Sequence, residues 1–199
     1  FSYRELWGQI GAFASGLADV GVEPGDRVAL YLPNLPQFVV GFHGTLRAGG
    51  VVVPMNPQYK AREIEHLLND SGARVVVALA DLAPFVEEVR EDTDVETVVT
   101  VGGEVETGDP FQSFLGDPEI ETVPRDTDDV ACQPYTSGTT GQPKGVLLSH
   151  ENLRSNAEVA ATLAPGEGVH EDDEVLGVLP LFHIYGMTVT MNSVLFSGA

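Results

Sequence analysis

Residues 51–79 read Val-Val-Val-Pro-Met-Asn-Pro-Gln-Tyr-Lys-Ala-Arg-Glu-Ile-Glu-His-Leu-Leu-Asn-Asp-Ser-Gly-Ala-Arg-Val-Val-Val-Ala-Leu. The apolar run Val51–Pro54 predicts a strand, and Ala61–Asn69 an amphipathic helix closed near Gly72. Ala73–Leu79 then predicts a strand of the buried kind. The same alternation extends outward in both directions. Upstream, Ser2-x-x-Glu5 is a capping box. Leu6, Ile10, Phe13, Leu17 and Val20 follow it at helical spacing, with Gly21 as a stop. Asp26–Leu32 reads as a strand and Pro36–Ala48 as a helix. Downstream, Pro84–Arg90 reads as a short helix and Val95–Val101 as a strand. Strands alternating with helices predict an α/β fold, mainly parallel sheet flanked by helices.

The second half is less regular. Residues 104–129 carry Gly, Pro and many acids and read as a surface connection. A glycine-rich loop follows, then a short strand at Val146-Leu147-Leu148 and a helix from about Glu151 to Leu163. An acidic turn at 167–174, a strand at Val175–Leu179 and a helix after Ile184 complete the reading.

The loop, Thr136 to Gly145, is Thr-Ser-Gly-Thr-Thr-Gly-Gln-Pro-Lys-Gly. Glycines let a backbone approach a ligand closely, and successive N–H groups then form an anion-binding nest. The hydroxyls of Ser137, Thr139 and Thr140 add uncharged donors, and Lys144 adds a cation. This combination suits a polyphosphate. A Walker loop requires Gly, four residues, then Gly-Lys-Ser/Thr and a helix. Here Lys144 is followed by Gly145 and an apolar run, so the loop instead joins two strands.

The chain has 199 residues, enough for one domain, and 43% of them are apolar. Thirty acidic residues against ten basic ones give a net charge of −20. That field opposes nucleic acid and anionic membrane as partners. With Lys60 and Lys144 as its two lysines, the composition is that expected of a salt-adapted, halophilic protein. Cys132 is the sole cysteine, so no internal disulfide forms, as in a reducing compartment. It reads as a small strand residue. Pro180, His183 and Asn192 interrupt the apolar 175–199 stretch, which reads as core and not as a membrane span. No leader pattern opens the sequence, and a cytoplasmic location is expected. No His or Cys spacing indicates a metal site. His150 reads as organising the turn after the loop, while His43, His66 and His170 carry no motif. From position alone His183 is either a core histidine or a site residue.

Tyr135–Gly145 resembles the signature of the adenylate-forming (AMP-binding) superfamily, which includes acyl-CoA synthetases, luciferases and peptide-synthetase adenylation domains. Phe1-Ser2-Tyr3-Arg4-Glu5-Leu6, Gly25-Asp26-Arg27-Val28-Ala29, Asn34-Leu35-Pro36-Gln37-Phe38, Ala48–Pro54 and Asp70-Ser71-Gly72-Ala73 are similar to the early part of acyl-CoA synthetases. Leu179-Pro180-Leu181-Phe182-His183-Ile184-Tyr185-Gly186-Met187 resembles the family's next motif in its CoA-ligase form. The resemblance runs along nearly the whole chain, in order.

It implies ATP-dependent activation of a carboxylic acid to an acyl-adenylate, then transfer to CoA, as in fatty-acid or aryl CoA ligases. Thr136, Ser137, Gly138, Thr139, Thr140, Gly141 and Lys144 would hold the phosphates of ATP. His183, with Tyr185 and Gly186, would line the acyl side, and Lys144 and His183 would serve the chemistry. It further implies that residues 1–199 are part of a large N-terminal domain. The Mg²⁺ ligand, the rest of that domain and a C-terminal lid would lie outside this sequence, and no turnover is expected of the chain alone. An adenylation domain that loads a carrier protein, or a non-catalytic ATP-binding module, are the competing readings.

Overall fold

A computed structural model describes residues 1–103, 107–136, 142–163 and 168–199. Helix α1 (Tyr3–Asp19) starts at the capping box: Ser2 Oγ accepts from Glu5 N–H, and the Glu5 carboxylate accepts from Ser2 N–H at 2.7 Å. Then come β1 (Arg27–Tyr31), α2 (Pro36–Arg47), β2 (Val51–Pro54), α3 (Ala61–Ser71), β3 (Ala73–Leu79), α4 (Ala83–Val89) and β4 (Thr97–Val101). β2 and β3 have the expected limits. Gly72 closes α3 in the left-handed region, at φ 66°.

These strands pair in parallel. With β5 (Asp109–Pro110), β6 (Val130–Cys132) and β9 (Leu148–Ser149) they form a seven-stranded sheet, in the order β5-β4-β3-β1-β2-β6-β9. Only the β6–β9 pair is antiparallel within it. Side chains alternate across a strand. Val28 and Leu30 of β1 therefore join a core with Phe13 and Leu17 of α1 and Phe38 and Phe42 of α2. Ala29 and Tyr31 face the other way, into a core with Ile64, Leu67 and Leu68 of α3 and Val86 of α4. Helices thus cover both faces, which is why these strands read as unbroken apolar runs.

Three expectations need correction. The 104–129 stretch is not merely a surface connection: it contains β5 and a one-turn helix α5 (Phe111–Phe114). Phe111 and Phe114 are buried, with ring centroids 5.5 and 5.4 Å from that of Phe13. The strand expected at Val146–Leu148 is split. β8 (Lys144–Gly145) pairs with β7 (Tyr135–Thr136) in a separate hairpin, whereas β9 returns to the main sheet. Val146 and Leu147 span the switch between sheets and are exposed. Val175–Leu179 is not a strand; Leu176 is 79% and Val178 70% exposed. Strand propensity is a fit to a half-buried sheet, and here the carbonyls of Gly177 and Leu179 bond to the Asn34 side chain instead.

Helix α6 (His150–Thr162) follows β9, capped by Ser149. The last helix begins as α7 (Ile184–Gly186), continues as a π-helical segment (Met187–Asn192) and ends as α8 (Ser193–Ser197). π-Helical turns are rare and frequent at functional sites. No helix among the described residues is long and apolar enough to cross a membrane.

Candidate functional site

β2 and β6 lie side by side and parallel, and ligands in open α/β sheets bind beyond the carboxyl ends of such strands. A cavity of ≈ 380 Å³ occurs there. Pro54, Asn56 and Tyr59 line it from beyond β2, and Pro134, Tyr135 and Thr136 from beyond β6. Val146 and Leu148 contribute from the chain after the hairpin, and Phe182, His183 and Ile184 from the turn into α7.

Of the residues singled out from sequence, Thr136 and His183 share this cavity. Lys144 stands opposite Thr136 in the hairpin register, with an exposed side chain. Ser137, Gly138, Thr139, Thr140 and Gly141 lie outside the described residues. Tyr185 is 61% exposed and does not line the cavity. Gly186 is buried, and a Cβ there would come within 2.2 Å of the Pro180 carbonyl oxygen. Its lack of a side chain lets the helix start pack on the preceding turn.

His183 is exposed and caps α7, its Nδ1 accepting the Tyr185 N–H at 3.3 Å. Since Nδ1 accepts, a neutral ring carries its proton on Nε2, which becomes a donor. On the opposite wall, Asn56 Oδ1 accepts from Gln58 N–H at 2.9 Å and shapes the turn after β2. The Tyr59 carbonyl accepts the Tyr31 hydroxyl at 2.5 Å, and burial, aided by the Glu63 charge, pushes that phenol up to about 12.

The hairpin is tied to its surroundings by side chains. Tyr135 Oη donates to Asp70 Oδ2 at 2.6 Å and accepts from Gln133 Nε2 at 3.1 Å. Burial, then the Asp70 carboxylate, raise the Tyr135 phenol well above its usual range. A side chain at Gly145 would place Cβ 2.6 Å from Gln133 Nε2. His66 Nε2 lies 3.0 Å from the Pro143 carbonyl oxygen. Tyr59, His66 and the anchoring role of Asn34 were not legible from motifs, because each acts through a contact remote in sequence, and Asn56 shapes a turn that carries no motif. Asn34 and Asp70 do fall within segments that resemble acyl-CoA synthetases, which was the available signal.

Cys132 is buried in β6, and desolvation raises its thiol, as befits an inert strand residue. His150 opens α6, its main-chain N–H bonded to the Asp129 carbonyl at 3.0 Å. A larger cavity of ≈ 530 Å³, lined by Trp7, His43, Arg47 and Arg125 among others, includes none of the expected site residues. Among the described residues no group of three or more His, Cys, Asp or Glu could hold a metal ion.

Proteins similar to this chain include CoA ligases. The long-chain-fatty-acid–CoA ligase of Salmonella typhimurium is 36% identical over 232 residues, covering 98% of this chain and 40% of the relative. ATP-bound MatB from Rhodopseudomonas palustris superposes with a TM-score of 0.88 at 31% identity, covering 99% of this chain and 38% of that one. A long-chain-fatty-acid-CoA ligase (FadD1) from Archaeoglobus fulgidus superposes with a TM-score of 0.86 at 34% identity, with 98% and 38% covered. The chain therefore spans about 40% of the length of the curated relatives it matches. With the model of one family, described as AMP-binding enzyme, matching residues 1–199 from end to end, the chain belongs to the AMP-binding enzymes.

Proposed function

We propose that the whole protein is an acid–CoA ligase and that this chain supplies the phosphate-binding hairpin and part of the acyl side of its active site. The observation that carries this reading is the cavity shared by Thr136 of the hairpin and His183 of the Leu179–Met187 motif. A polyphosphate site and an acyl site must meet where the two substrates react.

In the first step a carboxylate oxygen attacks the α-phosphorus of ATP. An O–P bond forms, the bond to the bridging α–β oxygen breaks, and pyrophosphate leaves. The CoA thiol then loses its proton and attacks the acyl carbonyl carbon. A C–S bond forms and AMP departs with the electron pair of the broken C–O bond. Such transfers depend on positioning and charge neutralisation. Thr136, Ser137, Gly138, Thr139, Thr140 and Gly141 serve as donors to the β- and γ-phosphates, and Lys144 neutralises the leaving pyrophosphate. His183 offers its Nε2–H to the carboxylate, and Gly186 acts indirectly, by letting the start of α7 pack on the turn before it. Mg²⁺ is an expected companion of ATP, with its protein ligand expected outside this sequence.

Relatives named for long-chain fatty acids support a fatty acid as the first substrate class to test. The partners we infer are small molecules and not nucleic acid, given the net charge of −20. The setting we infer is a reducing, salt-rich cytoplasm, in keeping with a single buried cysteine and thirty acids.

The test is acid-dependent ATP–pyrophosphate exchange by the full-length protein in molar KCl, with short, long and aromatic acids. Exchange with one acid class is expected. Lys144→Ala should lower it about 10- to 100-fold, the worth of one charge-assisted hydrogen bond. A folded protein that binds ATP but exchanges with no acid would be a nucleotide-binding module instead.

A further inference from the structure

Among the described residues, the ladder of the hairpin formed by β7 and β8 consists of Tyr135↔Gly145 and Thr136↔Lys144, continued by Val146 N–H to the Pro134 carbonyl at 2.8 Å. An isolated two-stranded hairpin is marginal in water, so contacts from outside it bear on the position of Lys144.

Helix α3 supplies that constraint to both strands. Asp70 accepts the Tyr135 hydroxyl of the first strand at 2.6 Å. His66 Nε2 lies 3.0 Å from the Pro143 carbonyl, immediately before Lys144 of the second. A carbonyl oxygen can only accept, so His66 donates through Nε2. The two residues are four apart and share one face of the helix. One helix face thus carries a donor for one strand and an acceptor for the other. Behind it, Ile64, Leu67 and Leu68 of α3 are fully buried in the core, which makes the helix a rigid support.

We propose that His66 and Asp70 are positioning residues: they bracket the two strands of the hairpin and so set where Lys144 meets the leaving pyrophosphate. The inference rests on the ligase reading for its catalytic consequence, but the bracket itself can be tested without it.

The experiment compares His66→Ala, His66→Gln, Asp70→Asn and Tyr135→Phe with the wild type in the full-length protein, using two readouts. The first is hydrogen exchange at the Val146 amide without nucleotide. His66→Ala and Tyr135→Phe should exchange roughly tenfold faster, the effect of one lost hydrogen bond. His66→Gln keeps an amide donor at similar reach, and Asp70→Asn keeps an acceptor, so both should stay within about threefold of wild type. The second readout is steady-state pyrophosphate exchange. His66→Ala should raise the KM for ATP and lower kcat while leaving the KM for the acid unchanged. A merely unstable variant would instead lose kcat with both KM values intact. Unchanged Val146 exchange in His66→Ala and Tyr135→Phe overturns the bracket, and so does failure of His66→Gln to restore it. A wild type with no pyrophosphate exchange overturns the ligase reading and leaves the bracket to be decided by the amide.

Discussion

Asn34 Oδ1 accepts the main-chain N–H of Leu181 at 2.9 Å, while its Nδ2 donates to the carbonyls of Leu179 at 2.8 Å and Gly177 at 3.2 Å. One amide just beyond β1 therefore fixes the segment that leads into Phe182 and His183. Among the described residues no strand pairs with that segment, and these three bonds substitute for a ladder.

Asn34→Ala should release it. Asn34 is solvent-exposed, so water offsets part of the loss, and about 1–2 kcal/mol of local stability is expected to go. The global melting temperature should change little, because the core is untouched. The Leu181 amide should exchange about tenfold faster or more, and the KM for the acid should rise as His183 loses its fixed position. Wild-type exchange at Leu181 in the variant would show that the segment is held by something else.

Gly186 and Gly177 form a matched pair of positions in the same motif region. A Cβ at Gly186 would sit 2.2 Å from the Pro180 carbonyl oxygen, a main-chain atom that cannot swing aside, whereas one at Gly177 would meet nothing within 4 Å. Gly186→Ala should therefore destabilise by about 1–3 kcal/mol or more, as overpacking does, and displace the start of α7. Gly177→Ala should stay within about 0.5 kcal/mol of wild type. Chemical denaturation of the two variants side by side checks this, and equal stabilities would refute the close-approach account.

The fold was legible where local pattern and burial agree. Val51–Pro54 and Ala73–Leu79 are apolar because both of their faces are covered, and their limits in the structure are those read from sequence. Val175–Leu179 has the same local character, but among the described residues no strand pairs with it, and no local pattern reveals that. Phe111 and Phe114 sit among acids, glycines and prolines, and become core only because Phe13 faces them. The site divides in the same way. The residues we propose for ligand binding form contiguous motifs, Thr136–Gly145 and Leu179–Met187. The residues that hold those motifs in place, Asn34, His66 and Asp70, reach them across the fold.

His43 sits beside the larger cavity with its Nε2 shielded from solvent and, among the described residues, without a hydrogen-bond partner. Burial lowers it from the ordinary 6.5 to about 4. The unfolded chain then binds the proton more readily than the folded one between those values. Stability is full above about pH 6.5 and falls as pH drops toward 4, by up to about 3 kcal/mol. His150, lowered chiefly by burial and then by Arg125, acts in the same direction. The check is urea denaturation at pH 7.5 and pH 5 for wild type and His43→Leu. The variant should lose less stability on acidification, and parallel losses in both would remove His43 as the cause.

Added salt should stabilise this protein and, on the ligase reading, should not weaken its hold on ATP. Thirty acidic side chains against ten basic ones repel one another in the folded state and repel ATP from the whole surface. Among the described residues Arg74 pairs with Asp26 and Glu96, and Arg154 with Glu151 and Glu158. Even with all ten basic side chains paired, twenty acids would stay unneutralised. Salt shortens the Debye length from about 10 Å at 0.1 M to about 3 Å at 1 M. Long-range repulsion should then vanish, while short contacts at a polyphosphate site are screened much less. Between 0.1 and 2 M KCl the melting temperature should rise, and the KM for ATP should fall or stay level instead of climbing. A melting temperature that drops with KCl, together with a rising KM, would mean that local pairs and site charges outweigh the global field.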